Sequence, residues 1–146
     1  MKFSKFNILL LFAVLFLNMQ CDDDDGVQPI ANCDETTVVD NTLYQNAQSA
    51  HYSFGNVELH GDCLSIIIST SGCGADTWEL ELIGSEDVME SFPVQRNIKA
   101  ALTNNEACLA VFSREWTFNL APLQVDGENQ VMLNLQNFSE PILYSY

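Results

Sequence analysis

The sequence predicts an all-β fold, an antiparallel β-sandwich of immunoglobulin-like or open-barrel type, following an exported leader. Three observations predict it. Apolar and polar residues alternate through one short run after another, turn formers fall between those runs, and the cysteines after the first form an even set. Beyond the leader, no run of ten or more residues shows the 3.6-residue periodicity of an amphipathic helix. The length of 146 residues allows one domain.

The leader comes first. Residues 1–7 carry Lys2 and Lys5, and residues 8–17 read ILLLFAVLFL without a polar interruption. A basic start before a short apolar run is the pattern of a secretory signal peptide, and residues 1–20 are expected to be one. The run is too short to span a bilayer, which takes about 20 apolar residues. It also lacks the polar face that a buried surface helix would need.

Asn18, Met19, Gln20 and Cys21 follow, then Asp22, Asp23, Asp24 and Asp25. A cysteine just after the apolar run resembles the bacterial lipoproteins cleaved by the lipoprotein signal peptidase, a likeness confined to the first 25 residues. Leu17 stands one position earlier than usual in that family, and Gln20 takes the place of a small residue. The resemblance implies that Cys21 becomes the acylated first residue of the mature chain. Cysteine followed at once by acids also resembles the surface-export signal of Bacteroidota-type lipoproteins. That implies an outer-membrane anchor with the domain facing the cell surface, the alternative being a periplasm-facing domain. Physically, four carboxylates repel anionic headgroups and hold an extended chain off the membrane. Adjacent carboxylates do not supply the spaced ligands of a calcium loop. Residues 21–32, with Pro29, are expected to form a lipidated acidic tether, and residues 33–146 the domain.

The charge agrees with a solvated, exported chain. The sequence carries −15, and loss of Lys2 and Lys5 with the leader takes it to −17, leaving Arg96, Lys99 and Arg114 as its cations. Such a field repels phosphate backbones, which argues against nucleic-acid partners. It likewise confines membrane contact to the lipid anchor.

Cys33, Cys63, Cys73 and Cys108 remain, and in an exported chain an even set implies disulfides. Zinc is disfavoured because no two of them are two to four residues apart, and His51 and His60 supply no matching pair. Four cysteines allow three pairings. Cys33 with Cys63 and Cys73 with Cys108 is the one expected, fastening the entering segment to an early strand and a loop to a later strand.

Within the domain, Val57 and Leu59 alternate with Glu58 and His60, and Gly61–Asp62 makes a turn. Residues 63–70 (CLSIIIST) form a largely buried strand, and residues 71–76 (SGCGAD) a loop. In residues 77–83, Trp78, Leu80 and Leu82 face in while Glu79 and Glu81 face out. Residues 107–114 and 115–120 follow the same rule, the second with Trp116, Phe118 and Leu120 on one face. Residues 130–135 and 142–146 are two further strands, and Pro93, Pro122 and Pro141 fall between runs. Helical turns are expected only in residues 84–92 and 98–104.

Several elements together resemble small uncharacterised lipoproteins of Bacteroidota type. They are Gly61–Asp62–Cys63–Leu64, Ser71–Gly72–Cys73, Trp78–Glu79–Leu80 and residues 91–95, completed by Cys108 and residues 118–123. The likeness implies an extracytoplasmic β-sandwich and carries no activity.

Catalytic chemistry finds little footing. His51 lies in a polar stretch and His60 at a hairpin edge, and there is no nucleophile elbow or phosphate-cradling glycine loop. Asp76, Glu79 and Glu81 could supply a carboxylate pair, but Glu79 and Glu81 occupy the wet face of a strand. Trp78, Trp116, Tyr44, Tyr52, Tyr144 and Tyr146 could form an aromatic binding face, although both tryptophans head inward-facing alternations. The expectation is therefore a non-enzymatic, surface-tethered binding module without cofactor or metal, its partner a protein or glycan. The alternative is a small inhibitor or binding protein for a secreted enzyme, with residues 71–76 as the presenting loop; a carboxylate hydrolase ranks below both.

Overall fold

Alternation becomes pleated sheet wherever one face can be buried, and the computed structural model, which describes residues 32–146, shows where that happens. The leader, Cys21 and Asp22 to Asp25 lie outside the described residues. Strands β3 (Ser53–His60) and β4 (Cys63–Gly72) form the expected hairpin around Gly61, whose φ of 59° suits glycine. β5 (Glu79–Met89) and β6 (Val94–Thr103) form a second antiparallel pair. β7 (Ala110–Asn119), β8 (Gln130–Leu135) and β9 (Ile142–Ser145) complete the longer strands.

Two very short strands precede them, β1 (Glu35–Thr36) and β2 (Val38–Val39). One sheet runs β1-β7-β4-β3 and the other β2-β5-β6-β8-β9, giving the all-β sandwich. The core between them includes Leu64, Ile66, Trp78, Leu102, Trp116 and Leu133, each at most 5% exposed. The entering chain touches both sheets: β1 pairs with β7, and β2 pairs with β5 after the chain switches sheets at buried Thr37.

The pairings are mixed where antiparallel ones were expected. β1 with β7, β2 with β5 and β6 with β8 are parallel. Neither region expected to allow helical turns is helical, since residues 84–89 belong to β5, residues 90–92 to the turn after it, and residues 98–103 to β6. A register shift between Gly84 and Val88 breaks the alternation of β5. Buried neighbours Ala100, Ala101 and Leu102 do the same for β6, which is covered on both faces.

The helix lies elsewhere, at α1 (Asn41–Asn46), where Asp40 caps Leu43 N–H at 2.6 Å. At its other end Lys99 Nζ donates to the carbonyls of Tyr44 (3.2 Å) and Ala47 (2.7 Å). Residues 107–114 and 115–120, read as two runs, give one strand, β7, over residues 110–119, with no turn at their junction. A 3-10 turn (Ala121–Leu123) follows it.

The two disulfides join Cys33 to Cys63 and Cys73 to Cys108.

Candidate functional site

The loop between β4 and β5, residues 73–78, is fixed from three directions. The Cys73–Cys108 disulfide ties it to the segment leading into β7. Glu106 on that segment turns its carboxylate into the loop. Oε2 accepts the N–H groups of Cys73 (2.5 Å), Gly74 (3.2 Å) and Ala75 (3.4 Å), and Oε1 accepts the Thr77 hydroxyl (2.7 Å). The Thr77 hydroxyl and the Cys73 N–H, helped by Gly74 and Ala75, hold the Glu106 carboxyl down at about 2. From the core side Arg114 Nη1 donates to the carbonyls of Ala75 (2.9 Å) and Trp78 (3.0 Å), with its guanidinium 4.7 Å from the Trp116 ring centre.

Local sequence explains how the chain reaches this shape. Ala75 takes a left-handed φ of 66°, a conformation that costs an L-residue roughly 1–2 kcal/mol and persists where neighbours over-determine it. At Gly72 a Cβ would come within 2.8 Å of the Trp78 ring, so the indole packs under the end of β4 only because glycine stands there. Beside the loop, Leu109 and Val111 are 91% and 72% exposed, and Val111 stands opposite Ser71 in the sheet. A rigid polar loop thus adjoins an uncovered apolar pair.

A cleft of about 790 Å³ opens at the side of the sandwich, between residues 45–54, Lys99–Ala100 of β6, and the turn at residues 136–139. Tyr52, Phe54 and Phe138 line it as half-buried rings in edge-to-face contact, at 5.3 Å and 5.5 Å between successive centres. Tyr52 donates its hydroxyl to Ala100 O at 2.8 Å, and burial pushes this phenol up to about 12.

The sequence-selected residues fall apart in space or into the core. His51 is exposed at the cleft, whereas His60 lies 3.4 Å from Glu58 at the exposed β3–β4 hairpin. Asp76, Glu79 and Glu81 are exposed, with Glu79 and Glu81 on the outer face of β5. Trp78, Trp116 and Tyr144 are buried, so they form no aromatic face with Tyr44, Tyr52 and Tyr146; Tyr52 alone of the six lines the cleft. Among the described residues, no group of three or more His, Cys, Asp or Glu side chains is placed to hold a metal ion. The sequence reading missed Glu106, which in Asn-Asn-Glu-Ala-Cys looks like any loop acid. Arg114 carried a signal: it falls in phase with inward-facing Trp116 and Phe118, where a charge needs a partner.

No protein-family model and no curated protein matches the sequence. Solved structures do share the fold. One is a protein of unknown function from Bacteroides vulgatus, with TM-score 0.50, 10% identity, and coverage of 77% of this chain and 55% of that one. A putative toxin-related protein from Parabacteroides distasonis matches at 0.50 and 14% identity, over 77% of this chain and 60% of its own. A NigD-like immunity protein from Bacteroides caccae matches at 0.51 and 10%, over 74% of this chain and 58% of its own. The chain thus spans 55–60% of the length of these structures, and at such identities the likeness concerns fold alone.

Proposed function

We propose that this protein is a lipid-anchored lipoprotein of the outer membrane. Cys21 carries the acyl chains, and the domain at residues 33–146 is displayed outside the cell as a non-enzymatic binding module for a protein partner. The leader, Cys21 and the four following aspartates support the anchor and the address. The binding role rests on one observation, the loop at residues 73–78 locked by Cys108, Glu106 and Arg114 beside exposed Leu109 and Val111. A loop already held in one shape loses little entropy when it binds, and adjacent apolar side chains supply the contact area.

A second reading, a small inhibitor or immunity-type protein acting on a secreted enzyme, uses the same loop. One protein of similar fold is described as a NigD-like immunity protein, which favours keeping this reading.

Two measurements on intact cells test the proposal. Protease shaving should cut the domain of the native protein and spare a variant with Asp22 to Asp25 replaced by alanine; protection of both would remove the surface address. A photo-crosslinker at Leu109 should trap an extracellular protein that one at Glu81 on β5 does not. Equal trapping at both positions, or at neither, would refute the binding role of this end. Inhibition of the trapped protein's activity would decide for the second reading.

A further inference from the structure

We propose that the side cleft binds a short neutral oligosaccharide without cleaving it, at a site separate from the loop end. Its volume of about 790 Å³ falls in the range of small-molecule sites, roughly 300–1,000 Å³. That space is ample for two or three sugar residues. Within a mostly polar wall stand three aromatic rings: Tyr52, Phe54 and Phe138 are half-buried, and successive pairs meet edge to face at 5.3 Å and 5.5 Å. Aromatic faces are electron-rich, and the C–H faces of pyranose rings are their complement.

The rim has the other half of sugar chemistry. Gln45, Gln136 and Asn137 bring side-chain amides, each able to donate and accept toward vicinal hydroxyls. The bonds that hold the walls use other groups: Tyr52 Oη to Ala100 O, Lys99 Nζ to the carbonyls of Tyr44 and Ala47, and the backbone N–H of Gln136 to Ile98 O. These amides are therefore left for a ligand.

Charge selects the class further. Among the described residues, no carboxylate lines this cleft. Without one, a cationic ligand finds no counter-ion, and a glycosidic bond finds no acid–nucleophile pair, so binding is not followed by hydrolysis. Lys99 spends its ammonium on two carbonyls at the end of α1, where the helix dipole already offsets its charge. Beside it, among the described residues, only exposed His51 could meet an anionic ligand, and a single solvent-facing ring is a weak partner for one. A neutral, hydroxyl-rich ligand is what remains.

The test uses the detergent-solubilised full chain and saturation-transfer NMR with neutral trisaccharides of glucose, mannose, xylose and N-acetylglucosamine, alongside trigalacturonate. At least one neutral trisaccharide should receive transfer and saturate. Phe138→Ala should weaken its binding about tenfold. Gln136→Ala, at an exposed rim position, should weaken it several-fold and guards against a folding defect in the first variant. Leu109→Ser should leave it unchanged, which separates this site from the loop end. Transfer to no neutral sugar, transfer to trigalacturonate alone, or binding that survives both cleft substitutions would overturn the proposal.

Discussion

The two disulfides close loops of similar length, 30 and 35 residues apart in sequence, yet they stand in different surroundings at opposite ends of the sandwich. Beside Cys33–Cys63 the polar contacts are half-buried, centred on one buried hydroxyl, and join distant elements. Tyr144 of β9, fully buried, donates to Asp62 in the β3–β4 turn (2.7 Å) and accepts from Gln124 (2.9 Å), while the Asp62 carbonyl accepts the N–H of Leu120 (2.8 Å). One side chain thereby connects both sheets. Beside Cys73–Cys108 the contacts are wetter and more local, with Glu106 gathering N–H groups from a single loop. The first arrangement resists unfolding, since buried groups left unpaired are costly. The second specifies a shape, because its groups would find water if released.

Removing the bridges separately tests this contrast at its largest expected effect. Cys33→Ser with Cys63→Ser, and Cys73→Ser with Cys108→Ser, should each lower the free energy of urea unfolding by about 3–4 kcal/mol, as loops of this length predict. Amide exchange should tell them apart. Only loss of Cys73–Cys108 should speed exchange at residues 73–77; equal acceleration in both variants would erase the distinction.

Next in size is Tyr144→Phe, which keeps the ring and removes its bonds to half-buried Asp62 and exposed Gln124. It should cost about 1 kcal/mol by urea denaturation. Burial first, and then the bond to Asp62, raise this phenol from 10.0 to about 12, and burial alone does the same for Tyr52. A proton held more tightly by the folded state gives stability that is complete below pH 10 and lost as pH rises towards 12. Phenolate absorbance should therefore rise together with unfolding, and Tyr144→Phe should weaken that alkaline dependence.

The smallest effect on global stability belongs to Glu106→Gln, which should barely move the urea midpoint while speeding exchange at Cys73 and Gly74. Its carboxyl lies at about 2, below the ordinary 4.5, so its contribution is complete above pH 4.5 and is lost as pH falls through about 2. Loop amides that lose protection already at pH 4 would show that the carboxylate does not hold the loop.

Much of the fold was legible because alternation is a local record of burial. β8 matched a run whose every second residue faces the core, β3 did so from Val57 onward, β4 matched a run read as largely buried, and the β3–β4 turn announced itself in Gly61–Asp62. The unread parts have local causes. β1 and β2 are two residues each, too short for any period to register. α1 had only its cap, Asp40, as a sign, and six residues give no helical stripe. Parallel pairing between β6 and β8 leaves no trace in either strand's own sequence. The loop end was half visible: SGCGAD read as a turn-forming loop, but the donors that bind Glu106 are backbone N–H groups, which every sequence has.

The fork made by β1 and β2 also sets an order of assembly. Glu35 pairs beside Phe118 in one sheet and Val38 beside Ile83 in the other, so neither rung can form until strands far along the chain are in place. Closing such long loops is entropically slow, and contact order of this kind moves folding into the millisecond-to-second range. The first part of the domain in chain order is thus among the last to dock, and until it does the edges of β5 and β7 stay open to whatever else is nearby.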